Sequence, residues 1–290
     1  VHLHVHSEFS LLDGAIRLSE MIKFAKESGS KAIAMTDNGV MFGTIDFYLA
    51  AKSAGIKPII GCDLFLCDTI EEKSRTLSRL ILLCKSYKGY ENLTEIVSKS
   101  HVDGFYYKPR VDLNVLREFS GDLIAISPGL SGPVAECIKD HRMDDAKKTI
   151  QDLHEIFPNN LYLGIQSLGK PFEELVQEET IKLGSELKIP IVATNDAYYL
   201  KPEDAVNREI LRSIQFGRII DLDDVNRQNK TQYLRSEEEM RTLFSHIPEA
   251  IENTLKITEE CTVEFDIEQV QLPKFDCPDN LSPEAYLETL

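Results

Sequence analysis

Val1-His2-Leu3-His4-Val5-His6 opens the chain, and Ser10-Leu11-Leu12-Asp13-Gly14 follows within a few residues. Alternate residues of an extended segment point to one side, so His4 and His6 can present two imidazoles to one point. Asp13 lies seven residues on, close enough for the chain to turn back and add a carboxylate. Two imidazoles and a carboxylate converging at a strand end suit a divalent metal. A His-x-His pair in a short β-branched run also suits a half-buried strand with no further role, so the choice depends on what the rest of the chain brings to the same end.

Outward from this opening, short apolar runs alternate with amphipathic stretches. Strands are predicted at 3–6, 32–36, 58–66, 80–84, 123–127, 161–165 and 190–194, with helices at 18–27, 44–54, 90–98, 133–139, 143–156 and 172–187. Such alternation predicts an α/β fold with a mainly parallel sheet. No Gly-x-Gly-x-x-Gly turn follows the first strand, which favours a closed α/β barrel over a doubly wound sheet. After Leu200 the pattern changes to a C-terminal helical extension: helices at 204–216, at 236–246 behind a Ser236/Glu239 capping box, and at 248–261 behind Pro248. The stretch 218–232 is polar, and 263–280 is acidic, carries Pro273 and Pro278, and reads as a linker.

Composition narrows the class. Hydrophobic residues make up 42% of 290, enough for a substantial core. The net charge of −16 argues against a domain that holds nucleic acid by itself, because phosphate contacts need clustered Lys and Arg. Six cysteines without a Cys-x-x-Cys read as buried thiols of a reducing cytoplasm. No run is long and apolar enough for a membrane span, and none resembles a signal peptide. The chain begins at Val and ends inside a predicted helix, 283–290, so a fragment of a longer protein is expected.

In α/β barrels, chemistry sits at the carboxyl ends of the strands. There this sequence places His4 and His6, then Thr36-Asp37-Asn38, then Asp63 inside an otherwise apolar run, then Thr194-Asn195-Asp196. A carboxylate within an apolar strand is costly unless paired or metal-bound. Asp37 reads as a cap of the following turn or helix, whereas Asp196 reads as a member of the site. His101, His141, His154 and His246 carry no functional reading. Tyr106 to Arg110 mixes bases with aromatics, a composition that can touch single-stranded nucleic acid but that packing explains equally well.

These residues also carry a family resemblance. His-Leu-His-Val-His-Ser-Glu-Phe-Ser-Leu-Leu-Asp-Gly-Ala (2–15) resembles the opening of the polymerase-and-histidinol-phosphatase (PHP) domain of bacterial replicative DNA polymerase III alpha subunits. The likeness continues through Ala-Met-Thr-Asp-Asn-Gly-Val-Met-Phe-Gly (34–43), Gly-Ile-Lys-Pro-Ile-Ile-Gly-Cys (55–62), Gly-Phe-Tyr-Tyr-Lys-Pro-Arg-Val-Asp (104–112), Val-Ala-Thr-Asn-Asp-Ala-Tyr-Tyr-Leu (192–200) and Tyr-Leu-Arg-Ser-Glu-Glu-Glu-Met (233–240). It reaches the tail, where Leu-Pro-Lys-Phe (272–275) resembles the crossing into a polymerase body.

The resemblance implies a distorted seven-stranded (β/α)7 PHP barrel at 1–200, a helical extension at 201–265, and a linker with the start of the polymerase body at 266–290. Active members hold a metal cluster and use it for 3′–5′ exonuclease proofreading. By that pattern His4, His6, Asp13 and Asp196 stand at ligand positions, and Asp63 replaces a usual glutamate. Asn38, Arg79 and Tyr198 stand where histidines are usual, and Gly129 where cysteine is common. The implied site is therefore partial, able to take zinc or manganese at most and expected to hold none, with no catalytic residue in this segment. The parent would be a magnesium-dependent, DNA-directed DNA polymerase in the cytoplasm. Its partners would be the rest of the alpha subunit, a separate proofreading exonuclease, the clamp and its loader, and DNA through the parent, with no membrane. The enzymatic alternative is an active exonuclease or phosphoesterase working with a reduced metal set.

Overall fold

The computed structural model describes residues 1–220, 230–267, 277–278 and 281–289. Part of the linker reading at 266–290 falls outside them, including Leu-Pro-Lys-Phe (272–275), as does most of the polar stretch 218–232. The sheet contains β1 (Ala32–Asn38), β2 (Lys57–Leu66), β3 (Ser78–Cys84), β4 (Arg110–Val111), β5 (Leu123–Ser127), β6 (Leu161–Ile165) and β7 (Ile191–Ala193). Helices alternate with these strands: α1 (Leu18–Glu27), α2 (Thr44–Ala54), α3 (Tyr87–Val102), α4 (Leu113–Phe119), α5 (Pro133–Lys139), α6 (Met143–Ile156) and α7 (Glu173–Leu187). Beyond them lie α8 (Ala205–Phe216), α9 (Glu237–Leu243), α10 (Pro248–Glu260) and α11 (Pro283–Thr289). The fold is α/β, a curled seven-stranded sheet in the order β1-β2-β3-β5-β6-β7 with β4 on β2, consistent with a distorted (β/α)7 barrel.

The sheet is mainly parallel, as expected, but β3 is not: it runs antiparallel to both β2 and β5. No helix intervenes between β2 and β3, so no crossover returns the chain to a parallel start. Residues 3–6 are not the regular strand expected of them. Val5 makes one parallel bridge to Ala197, and Ser7 one to Ile16. The Val5 N–H donates to Thr36 Oγ1 (2.9 Å) rather than to a backbone carbonyl, which interrupts the ladder. Even so, the segment fills the gap between the sheet's two ends. The Ala34 and Thr36 N–H groups donate to His2 O and Val5 O (3.0 and 2.9 Å), and the His6 N–H donates to Ala197 O (2.8 Å). β4 and α4, unforeseen in the sequence, follow from Asp112, whose carboxylate caps α4 through the Asn114 and Val115 N–H groups.

The core has three parts. One lies inside the sheet and includes Leu3, Ile59, Ile81, Ile126 and Val192, with Ile257 and Cys261 at the end of the C-terminal helices. The largest lies between the sheet and α3 to α7. The third packs α1 and α2 on β1 around Phe47, with Val5 and Ala197. Cys62, Cys67, Cys84, Cys137 and Cys261 are buried free thiols, and Cys277 is half-buried. Gly61 sits where β2 meets β3; a Cβ there would stand 2.5 Å from Leu82 O. Gly61→Ala should therefore lower stability by about 1–3 kcal/mol, the range for overpacking, as read from urea unfolding. An unchanged midpoint would show that β3 yields freely.

Candidate metal centre at the barrel mouth

The inserted N-terminal segment brings His4 and His6 to the carboxyl ends of β2 and β7, and both rings are buried. His4 Nε2 lies 2.9 Å from Asp63 Oδ2 and 3.3 Å from Asp196 Oδ1. His6 Nε2 lies 3.0 Å from the same Asp196 oxygen and 3.8 Å from Asp63 Oδ2. Asp196 has a left-handed backbone (φ +49°), a conformation that aspartate tolerates better than most residues and that concentrates at functional sites. His2, the third histidine of the opening, does not join the site. Its Nε2 meets Arg235 O at 2.8 Å, and burial keeps the ring neutral, its pKa lowered to about 4.

Around this pair the positions that differ from the PHP pattern form a network. Arg79 donates from Nε to Asp63 Oδ1 (3.0 Å) and from a terminal nitrogen to Asp63 Oδ2 (2.6 Å), and also bonds Asn38 Oδ1. Asn38 Nδ2 passes the link to Asp13 Oδ2 (3.1 Å). Asp13 Oδ1 accepts from Arg208 Nε (2.9 Å). The Arg208 guanidinium lies 3.3 Å over the Tyr198 ring, which stacks on His6 at 4.0 Å. Gln232 joins Arg208 (2.8 Å) to Asp196 Oδ2 (2.6 Å). The structure thus gathers His4, His6, Asp63 and Asp196 at one point, with Asp13 one link away. Gly129 stands apart against β6, where a Cβ would lie 3.0 Å from Gly164 O. Asp37 caps no following helix; it accepts from Ser7 N, Ser7 Oγ and Ser10 Oγ (2.7, 2.8 and 2.6 Å) and clamps the loop that carries Asp13. His101 is held by Gly39 O (2.9 Å).

Burial by itself would raise the Asp63 carboxyl, but Arg79 and His4 hold it well below the usual carboxylate range. Asp196 is lowered too, against burial, by His4 and His6 and by the Arg208 charge. Burial also opposes charge on both imidazoles. Asp196 and Asp63 overcome it at His4, whose pKa rises, whereas His6 is lowered further by the charge of His4. The mouth therefore holds three acidic side chains, two of them paired with guanidiniums (Asp63 with Arg79, Asp13 with Arg208), while Asp196 lies against the His4 and His6 imidazoles.

Donor atoms of His4, His6 and Asp196 lie within 4.8 Å of one another, a group that could hold one metal ion. A multi-ion cluster does not fit. Arg79 takes both oxygens of Asp63, and Arg208 and Asn38 take both of Asp13, so the carboxylates that further ions would need are already engaged. Metal-ligating histidines usually anchor their second ring nitrogen, yet neither His4 Nδ1 nor His6 Nδ1 meets a partner among the described residues. Arg208 and Gln232 were not legible as site members, since each lies in a polar stretch far along the chain from Asp13.

The fold and site together define the class: a curled α/β barrel with a histidine–carboxylate mouth. The PHP domain profile matches residues 2–168, and the chain belongs to that family. It is 40% identical over 268 residues to the DNA polymerase III subunit alpha of Borreliella burgdorferi, covering 90% of this chain and 23% of that protein. With the Helicobacter pylori subunit the figures are 38% over 282 residues, 92% and 23%. The chain thus spans about a quarter of the length of these relatives. A solved metal-dependent phosphoesterase of Bifidobacterium adolescentis superposes with a TM-score of 0.47 at 13% identity, over 67% of this chain and 86% of that one.

Proposed function

We propose that this chain is the N-terminal PHP domain of a bacterial DNA polymerase III alpha subunit in which intramolecular cations have taken over the metal centre. The observation that carries the reading is the matching of Asp13 by Arg208 and of Asp63 by Arg79. Both are guanidiniums that keep their charge at any physiological pH, unlike an exchangeable ion. The domain then braces rather than cuts. The barrel at 1–200 and the helical extension at 201–265 form the base, and 266–290 leads into the polymerase body. The parent polypeptide adds deoxynucleotides to a primer with magnesium in the cytoplasm, and this segment contributes no polymerase aspartate. Its partners are the rest of the subunit, a separate proofreading exonuclease docked on this domain, and the clamp and loader through the parent. No helix among the described residues is long and apolar enough to cross a membrane.

Protein purified without chelator should carry substoichiometric zinc and manganese by mass spectrometry and should leave single-stranded 3′ ends intact. Stoichiometric metal, with hydrolysis lost in His6→Ala, would instead establish a reduced-metal exonuclease using His4, His6, Asp13, Asp63 and Asp196. The gene product extended past Leu290 should elongate a primed template.

A further inference from the structure

α8 is unlike the other long helices in how it is held. It buries a single residue, Ser213, and leaves Ile210, Ile214 and Phe216 exposed. None of its residues joins the three core clusters. Most of its polar side-chain contacts among the described residues stay within the helix and its flanks, Asn207 to Asp204 and Arg212 and Arg218 to Glu209. The exception is Arg208. Its side chain is 13% exposed and reaches Asp13, Gln232 and the face of Tyr198.

The helix also forms one wall of the mouth. Arg208, Arg212, Gln215 and Phe216 line a cleft of about 380 Å³, opposite Asp13, Asn38 and Arg79. A helix without a buried apolar face gains little from the hydrophobic effect, so its docking rests on the few directed contacts it makes. Here those contacts end on the carboxylates of the mouth.

We propose that Arg208 is a latch: its guanidinium pins α8 to Asp13 and, through Gln232, to Asp196, so that the helix and the cleft it walls stay closed only while those two carboxylates are free to receive it. α8 is then a lid whose position follows the state of the old metal site. A group that claims Asp13 or Asp196 releases the helix, and the cleft opens without unfolding of the barrel. Local opening of this kind draws on the least stable part of a fold. Nothing in the latch depends on a polymerase body, so its failure would leave the assignment of the chain untouched.

Hydrogen exchange read by mass spectrometry on the whole 290-residue chain, in buffer containing chelator, tests the latch. In Arg208→Gln, peptides spanning 205–216 should exchange about ten- to hundredfold faster than in the unaltered protein, the equivalent of one or two charge-assisted hydrogen bonds, while β2 and β5 peptides keep their rates. Arg208→Lys keeps the charge but loses the fork and should fall between the two. Gln232→Ala should accelerate the same peptides by less, and it carries the test if Arg208→Gln does not fold. Unchanged exchange at 205–216, or acceleration spread equally over the barrel strands, would overturn the latch.

Discussion

Arg79→Leu should destabilise the protein by about 3–5 kcal/mol at neutral pH, a large part of the total stability of a domain this size. The reason lies in what remains. Asp63 is buried in β2, and Arg79 from β3 holds both of its oxygens at 3.0 and 2.6 Å with a side chain only 15% exposed. Removing the guanidinium leaves the buried Asp63 without a fixed positive partner, with Arg208 bound to Asp13 instead. Replacing both partners is cheaper than removing one, so Arg79→Leu with Asp63→Asn should recover most of the loss, and the cycle should show strong coupling.

The pH dependence has a definite sign. In the unaltered protein Asp63 is held below its unfolded value, so its contribution is full above the unfolded pKa and is lost as pH falls through the lower, folded one. Without Arg79 the folded value rises, because burial is then opposed only by His4. The deficit of Arg79→Leu should therefore be greatest near neutrality and shrink on acidification, as Asp63 takes up its proton. Urea unfolding followed by circular dichroism at several pH values measures this. Equal stability of the two proteins at neutral pH would show that the pair does not hold β2 to β3.

How much of this was legible beforehand differs from element to element. β5 and β6 have the bounds read from sequence, and so do α1 and α2, because apolar runs bounded by turn residues such as Gly29 and Gly55 mark where strands and helices stop. The direction of β3 was not legible. A strand buried on both faces has the same composition whichever way it runs, and only the missing helix before Ser78 carried a signal. Arg79 was placed at the mouth only by the family resemblance, which sets a histidine at its position; a permanent cation there is ill suited to a metal. Arg208 had no such mark. Its partner Asp13 lies 195 residues away, and the contact exists only because the chain after β7 returns to the mouth. Charges that meet across the fold, outside any local motif, are where sequence reading runs out.

Phe47→Ala should have an effect of similar size, about 3–5 kcal/mol for loss of a fully buried ring and the cavity it leaves. Phe47 projects from α2 into the cluster that holds Ile16, Met21, Met35, Ala197 and Val5. Val5 lies between the two histidines of the mouth, on a segment without a regular strand ladder to position it. Its place is set by one bridge, hydrogen bonds with Thr36 and packing in the cluster around this ring, so the cavity should reach the site through Val5. The expected signature is twofold: a lower urea midpoint, and shifted or broadened imidazole resonances for His4 and His6 while His154, on α6, stays unchanged. Phe47→Leu, which keeps most of the volume, should cost much less and leave the imidazoles in place. If Phe47→Ala lost stability but left both imidazole signals untouched, the polar network alone would be enough to hold the mouth, and α2 would matter only to the core.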